Sequence, residues 1–110
     1  MSQNLPPILG VQATQMGGVK SSLNITASGA LINPAKRIGK ISVLATGSTG
    51  GPLVLNDSAT VVGASTPNEV LNIAQSSLAQ GYLTGDFPLI SGGLVVSSMP
   101  PNCRISIGYD

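Results

Sequence analysis

Short stretches in which apolar and polar residues alternate run through most of the chain. The clearest is "CRISIGY", where Cys103, Ile105, Ile107 and Tyr109 alternate with polar or small residues. Successive side chains of a β-strand point to opposite faces of the sheet, so a period of two is typical of a strand with one buried face. The segment is therefore predicted to be a strand.

Further segments share this pattern and are separated by Gly, Pro or Asn. They are "SLNITAS", with Leu23, Ile25 and Ala27 on one face, "ALIN", "KISVLAT", with Ile41, Val43 and Ala45 on one face, "LVLND", which "ATVVG" would extend, "GYLT", "FPLI" and "GLVVSS". Pro88 lacks an amide donor, which indicates an edge strand or a strand end. About eight short strands divided by turns predict an all-β fold, either an antiparallel sandwich or a barrel. The alternation favours a β-sandwich, and the number of strands matches a jelly-roll-like one in size, but the pattern does not choose the strand topology.

Residues 65–81, "STPNEVLNIAQSSLAQG", allow two interpretations. Thr66 and Glu69 have the spacing of a capping box, and Pro67 stands at the first helical position, so a helix is one. Two strands joined by a turn at residues 75–77 are the other. Local signals leave both open.

Residues 1–20 hold several Pro and Gly residues with no sustained period. We predict an extended N-terminal arm there and a sandwich domain over residues 21–110. The arm carries Leu5, Ile8, Leu9 and Val11, which would let it dock on a neighbouring molecule.

The composition narrows the kind of protein. Charged residues make up 8% of the chain, against roughly 25% in ordinary globular domains. Aromatic residues make up 3%, so the core must be aliphatic. A surface with so few charges favours a subunit of an assembly over a solitary monomer, because interface cores are depleted in charge.

The five cations do not form the footprint that nucleic acid requires, so no nucleic-acid partner is predicted. Three of them, Lys36, Arg37 and Lys40, lie close together in sequence. A solvated strand start is the favoured interpretation of this cluster, and contact with an acidic partner surface is the alternative.

Few residues could carry chemistry. The chain has no histidine, which excludes Ser-His-Asp and Cys-His arrangements. Cys103 is interpreted as a small apolar filler, "GSTGG" as a hairpin turn rather than a phosphate loop, and "NDS" at 56–58 as a turn rather than a calcium site. We predict a protein that is not an enzyme and needs no metal or cofactor.

The segment "YLTGDFPLISGGLVV" gathers Tyr82, Asp86 and Phe87 and ends on a Gly92-Gly93 step. It is interpreted as a strand, a turn and a strand, with a tight reversal at the glycines. Tyr82 and Phe87 would supply aromatic volume to the core or to a subunit contact.

No secretory signal and no stretch of about 20 apolar residues is visible, which predicts synthesis in the cytoplasm and no membrane partner.

Three stretches, taken in order, resemble a known class of protein. "ASGALINPAKRIGKISVLATGSTGGPLVLND" looks like the N-terminal half of small tailed-bacteriophage virion accessory proteins, and "GDFPLISGGLVVSS" with "RISIGYD" looks like their C-terminal half. The likeness covers roughly residues 25–110. It implies a β-sandwich, often a jelly roll, that decorates or cements a capsid, and it favours extended structure over residues 66–80.

The resemblance also implies partners and a location. The chain would be made in the host cytoplasm and would bind the major capsid protein on the surface of the virion. It would also bind copies of itself, as a homotrimer in preference to a homodimer. Its contacts would be the apolar arm residues, the basic cluster Lys36, Arg37 and Lys40, and the aromatic Tyr82 and Phe87. The alternative is a tail or fibre component that binds a host receptor or glycan.

Overall fold

The computed structural model of the protein describes residues 20–110. These residues form eight strands, which are β1 Lys20–Ile25, β2 Ala30–Ile32, β3 Arg37–Thr46, β4 Leu53–Asp57, β5 Glu69–Ile73, β6 Gly81–Pro88, β7 Leu94–Ser98 and β8 Cys103–Tyr109. Two single-turn 3-10 helices, Thr66–Asn68 and Gln75–Ser77, flank β5.

The strands form two antiparallel sheets. Sheet 1 has the order β1-β8-β3-β6 and sheet 2 the order β2-β7-β4-β5. Strand β1 pairs with β8, β2 with β7, β3 with β6 and β4 with β5. The chain therefore has the connectivity of one long hairpin, in which the first four strands pair with the last four in reverse order. Rolling such a hairpin into two layers gives a jelly roll, so the predicted all-β sandwich is confirmed.

The core between the sheets is aliphatic, as the composition predicted. Sheet 1 contributes Ile25, Ile38, Ile41, Val43, Cys103, Ile105 and Ile107, and sheet 2 contributes Ile32, Leu53, Leu55, Leu94 and Val96. The alternation predicted for "KISVLAT" and "CRISIGY" is confirmed at Ile41, Val43, Ile105 and Ile107, which are all buried. Cys103 is also fully buried, as a small core residue.

The prediction for "SLNITAS" is wrong at Leu23. A bulge interrupts the pairing of β1 with β8 between Ser22 and Ile25, where Asn24 takes a φ of 53°. The extra residue turns the side chain of Leu23 to the outer face, where it is 75% exposed. Asn24 is among the residues that tolerate a left-handed conformation, and its amide donates to Ser106 Oγ at 3.0 Å.

Residues 65–81 form no α-helix and hold one strand, β5, between two 3-10 turns. The turn that the strand interpretation placed at residues 75–77 is present, but residues 78–80 do not form a second strand. The box of reciprocal contacts at this point lies one residue earlier than the spacing of Thr66 and Glu69 indicated. The amide of Ser65 donates to Asn68 Oδ1 at 3.0 Å, and the amide of Asn68 donates to the Ser65 carbonyl at 3.1 Å. These bonds close one 3-10 turn, after which β5 begins at Glu69 as a partner for β4.

Three turn or strand predictions are corrected. The segment "ATVVG" does not extend β4 and forms part of the β4–β5 loop. Strand β6 runs through residues 85–86 without turning, with a register shift against β3 at that point. The "GSTGG" segment is not a hairpin turn, because β3 and β4 belong to different sheets. Pro88 ends an edge strand, as predicted.

Candidate interaction surfaces

Three loops meet at one end of the sandwich, and we call this region the loop end. It consists of residues 33–36, 58–65 and 89–93. The Ala35 amide donates to the Gly92 carbonyl at 2.8 Å and the Ser58 amide to the Gly93 carbonyl at 3.2 Å, while Asn33 Nδ2 donates to the Ala59 carbonyl at 3.1 Å. The three loops therefore support one another.

Asp57 adds the strongest of these ties. Its carboxylate accepts the amide of Ile90 at 2.9 Å, the amide of Ser91 at 3.0 Å and the Ser91 hydroxyl at 2.5 Å. Partial burial acts to raise the pKa of Asp57, but the bonds from Ser91 and Ile90 outweigh it, so the pKa lies below its ordinary value of 3.8. The predicted turn at 56–58 begins later than expected, because Asn56 and Asp57 are the last residues of β4. The local bond there is made by Ser58, whose hydroxyl donates to the Thr60 carbonyl at 2.7 Å.

The loop end exposes large apolar side chains. Val62 and Ile90 are each 96% exposed, and Val61 and Phe87 are both 45% exposed. Both Val62 and Ile90 lie in loops that are hydrogen-bonded to the rest of this end. These side chains are thus presented to solvent on supported backbone, which makes them candidate contact residues.

Of the predicted contacts, Lys36 lies in the loop end, and Arg37 and Phe87 lie next to it. Arg37 and Phe87 lie where β3 begins and β6 finishes, with Arg37 opposite Pro88 and Ile38 opposite Phe87. The Leu89 amide donates to the Lys36 carbonyl at 2.8 Å. Arg37 Nε lies 3.1 Å from Asp86 Oδ1, so this acid forms a surface ion pair. Ile90 and Val62 were not predicted as contacts, although Val62 directly precedes Gly63 and Ile90 lies two residues from both Pro88 and Gly92.

Lys40 and Tyr82 lie elsewhere, on the outer face of sheet 1. Lys40 Nζ is 5.4 Å from the centroid of the Tyr82 ring, within cation–π range. Tyr82 is 72% exposed, so it does not belong to the core.

A shallow trough of about 380 Å³ crosses this face, which we call the sheet-1 trough. It is lined mainly by Ser21 of β1, Ser106 and Gly108 of β8, Lys40 and Ser42 of β3 and Tyr82 of β6. Ser42 lies directly opposite both Ser106 and Tyr82. One row across three strands therefore presents two hydroxyls and an exposed aromatic ring, with Leu23 and Leu44 along the trough as well.

Charge is divided unequally between the two sheets. The strands of sheet 1 carry Lys20, Arg37, Lys40 and Arg104 and a single acid, Asp86. The strands of sheet 2 carry no cation and two acids, Asp57 and Glu69. The sandwich thus has a cationic side and a weakly acidic side although its net charge is only +1.

The described residues offer little to a metal or a nucleophilic reaction. Within residues 20–110, no three acids or cysteines come close enough together to hold a metal ion. Burial raises the pKa of the Cys103 thiol, which keeps it protonated. A second hollow, of about 410 Å³, lies between residues 49–52 and 74–76 and is lined by no charged side chain.

The predicted arm contacts Leu5, Ile8, Leu9 and Val11 lie outside the described residues, and of the predicted arm only Lys20 is described, as the first residue of β1. In the described part of the chain, no helix has both the length and the apolar character needed to cross a membrane.

Comparisons of this chain with protein-family models, with curated protein sequences and with solved structures found no match.

Proposed function

We propose that this protein is a structural virion protein that decorates or cements a bacteriophage capsid by bridging neighbouring shell subunits. The observation that carries the proposal is the loop end, where Val62 and Ile90 are almost fully exposed on backbone that is held by neighbouring loops. The ordered resemblance over residues 25–110 supports the same role, and the jelly-roll fold is the one that this resemblance implies.

Bridging requires surface complementarity and no chemistry. Val62 and Ile90 would enter apolar depressions on the shell, and burying each would contribute about 1.5–3 kcal/mol. Because the supporting loops are tied together, little conformational entropy is lost when they bind. Lys36 and Arg37 would add contacts to acidic groups at the rim.

Repetition then strengthens a modest contact. A subunit that touches two shell proteins, or that assembles with copies of itself, binds its second site at a high effective concentration. We propose a homotrimer, with a homodimer as the next choice. The arm residues Leu5, Ile8, Leu9 and Val11 would extend the contact from the start of β1, either to a neighbouring copy or to the shell.

Co-sedimentation with purified capsids tests the proposal. The double variant Val62→Ser, Ile90→Ser is expected to bind at least about tenfold more weakly, because two apolar contacts are lost. Leu23→Ser is the matched control, since Leu23 is also exposed but lies on sheet 1. Deletion of residues 1–19 measures the contribution of the arm. If wild type and the double variant co-sediment equally, the loop end is not the contact surface.

A second candidate function is the binding of a host receptor or glycan, as in a tail or fibre component. The sheet-1 trough favours it, because an exposed tyrosine, a lysine and serine hydroxyls converge there.

A further inference from the structure

We propose that the sheet-1 trough binds an acidic saccharide, that is, one or two sugar rings carrying a carboxylate or sulfate group. The inference rests on the receptor-binding candidate and is independent of capsid decoration, which uses the loop end. Four observations carry it, namely the exposed ring of Tyr82, the row of hydroxyls, the position of Lys40 and the size of the trough.

Tyr82 supplies a stacking platform. Its side chain is 72% exposed in a chain with only three aromatic residues, and it stands on β6 at one side of the trough. A tyrosine ring is a large apolar surface with a polar tip. The C–H face of a sugar ring can pack on it while the sugar hydroxyls remain free to bond elsewhere.

The floor of the trough supplies hydrogen bonds. The Ser106 hydroxyl oxygen already accepts the Asn24 amide at 3.0 Å, so its own proton remains available to donate. Ser42, on the neighbouring strand, lies directly between Ser106 and Tyr82. Hydroxyls both donate and accept, as sugar hydroxyls do. Gly108 has no side chain, which leaves room for a ring beside Ser21.

Charge selects an acidic sugar over a neutral one. Lys40 Nζ lies over the Tyr82 ring, 5.4 Å from its centroid, so its flexible side chain would move aside for a stacked sugar and would then pair with an anionic group on that sugar. The one acid in the strands of sheet 1, Asp86, is paired with Arg37 at 3.1 Å. No acid is among the residues that line the trough, so an anionic group on the ligand would meet Lys40 without a carboxylate in the lining.

The dimensions favour a small ligand over a protein surface. About 380 Å³ lies within the range of roughly 300–1,000 Å³ that is typical of small-molecule sites. A stable protein contact would instead bury about 800 Å² on each partner. The trough is lined by nine residues of one sheet face.

Titration calorimetry and amide chemical-shift mapping of the full chain test the proposal. The probes are trigalacturonate and 3′-sialyllactose, each compared with a neutral partner, maltotriose or lactose. We expect the acidic probes to bind more tightly and to shift amides of β3, β6 and β8. Tyr82→Ala and Lys40→Gln should each weaken binding by about tenfold, whereas Tyr82→Phe should retain most of it.

Lys36→Gln and Phe87→Ala are the matched controls, because they remove a cation and an aromatic ring outside the trough. Absence of binding at millimolar probe, equal binding of acidic and neutral sugars, or binding that Tyr82→Ala leaves intact would each overturn the proposal. Loss of capsid binding in Tyr82→Ala and Lys40→Gln, with no saccharide binding, would also overturn the proposal, because the trough would then be a protein contact. Capsid binding that survives in both variants would leave decoration by the loop end untouched.

Discussion

At the scale of single residues, the loops depend on a few close approaches. Gly47 has a φ of 77°, and a Cβ placed on it would lie 2.4 Å from the Pro101 carbonyl oxygen and 2.8 Å from the Cys103 amide nitrogen. Both of these are backbone atoms, which cannot rotate away. The loop between β3 and β4 therefore packs directly on the loop between β7 and β8, and only glycine allows the contact.

We expect Gly47→Ala to destabilise the fold by about 2 kcal/mol or more, because it adds a backbone clash to an unfavourable φ. Gly29→Ala is the matched control. Gly29 has a φ of 89° and nothing within 4 Å of its Cβ position, so that change should cost only about 1 kcal/mol. Urea unfolding of the two variants measures the difference, and equal losses would show that the contact with Pro101 adds nothing.

Asp57→Asn tests the tie between β4 and the β6–β7 loop. The asparagine side chain keeps one acceptor oxygen, but its NH2 group would face one of the donors that now bond the carboxylate. We therefore expect the free energy of unfolding to fall by about 1 kcal/mol at neutral pH. The loss should depend on pH. Since the pKa of Asp57 is lowered on folding, its stabilisation is complete above about pH 4 and disappears as the pH falls through the folded-state value.

The measurement is the difference in free energy of unfolding between wild type and Asp57→Asn from neutral pH down to acid. Other carboxylates titrate in both proteins, so the difference isolates Asp57. A difference that stays constant through the acid range would contradict the assigned hydrogen bonds.

At the scale of elements, the alternating strands could be predicted and their irregularities could not. Strands β3 and β8 follow the pattern because both pack one face on the core. Leu23 departs from it because the bulge at Asn24 shifts the register of β1, and nothing in the local pattern marks a bulge. Val61 and Val62 are β-branched residues, which are common in strands. They nevertheless lie in the loop that joins β4 to β5.

The conformation of the region around β5 also could not be predicted from the local sequence. Helix signals at Thr66 and Glu69 are local, whereas the residue that holds this segment is Asn56 on β4. Asn56 Nδ2 donates to the Ser65 carbonyl and to Asn68 Oδ1, both at 2.8 Å, and its Oδ1 accepts the Ser97 hydroxyl at 2.5 Å. These partners lie 9, 12 and 41 residues away, so the sequence alone indicates only a turn.

We expect Asn56→Ala to lower the free energy of unfolding by about 2–3 kcal/mol, because Asn56 is 1% exposed and the change removes its three side-chain hydrogen bonds. Hydrogen exchange should show loss of protection at the Ser65 and Asn68 amides before the amides of sheet 2. Asn72→Ala is the control, since Asn72 is exposed on β5 and its side chain bonds only Glu69 among the described residues. Retained protection at Ser65 would mean that Asn56 is not what holds the segment.

At the scale of the whole molecule, the sandwich separates an apolar surface from a charged one. The loop end presents Val62 and Ile90 at one end, while the sheet-1 trough lies on the face whose strands carry four cations and one acid. Because the chain carries few charges, the apolar and the cationic regions remain distinct from each other. The positions of Lys36, Arg37 and Phe87 near the loop end and of Lys40 and Tyr82 in the trough could not be predicted from the sequence, because pairing of β3 with β6 creates both groups.

The two surfaces should therefore respond differently to salt. Raising the ionic strength from about 0.05 M to about 0.5 M shortens the screening length from roughly 14 Å to roughly 4 Å. Binding of an acidic saccharide by Lys40 should weaken about tenfold or more over this range, and the residual binding should approach that of Lys40→Gln. Binding of capsids should weaken less, within about threefold, because burial of Val62 and Ile90 does not depend on charge and salt screens only the rim contacts of Lys36 and Arg37. Calorimetry with trigalacturonate and capsid co-sedimentation at both ionic strengths measure the two responses. Capsid binding that falls as steeply as saccharide binding would show that cationic residues, rather than Val62 and Ile90, supply most of the shell contact.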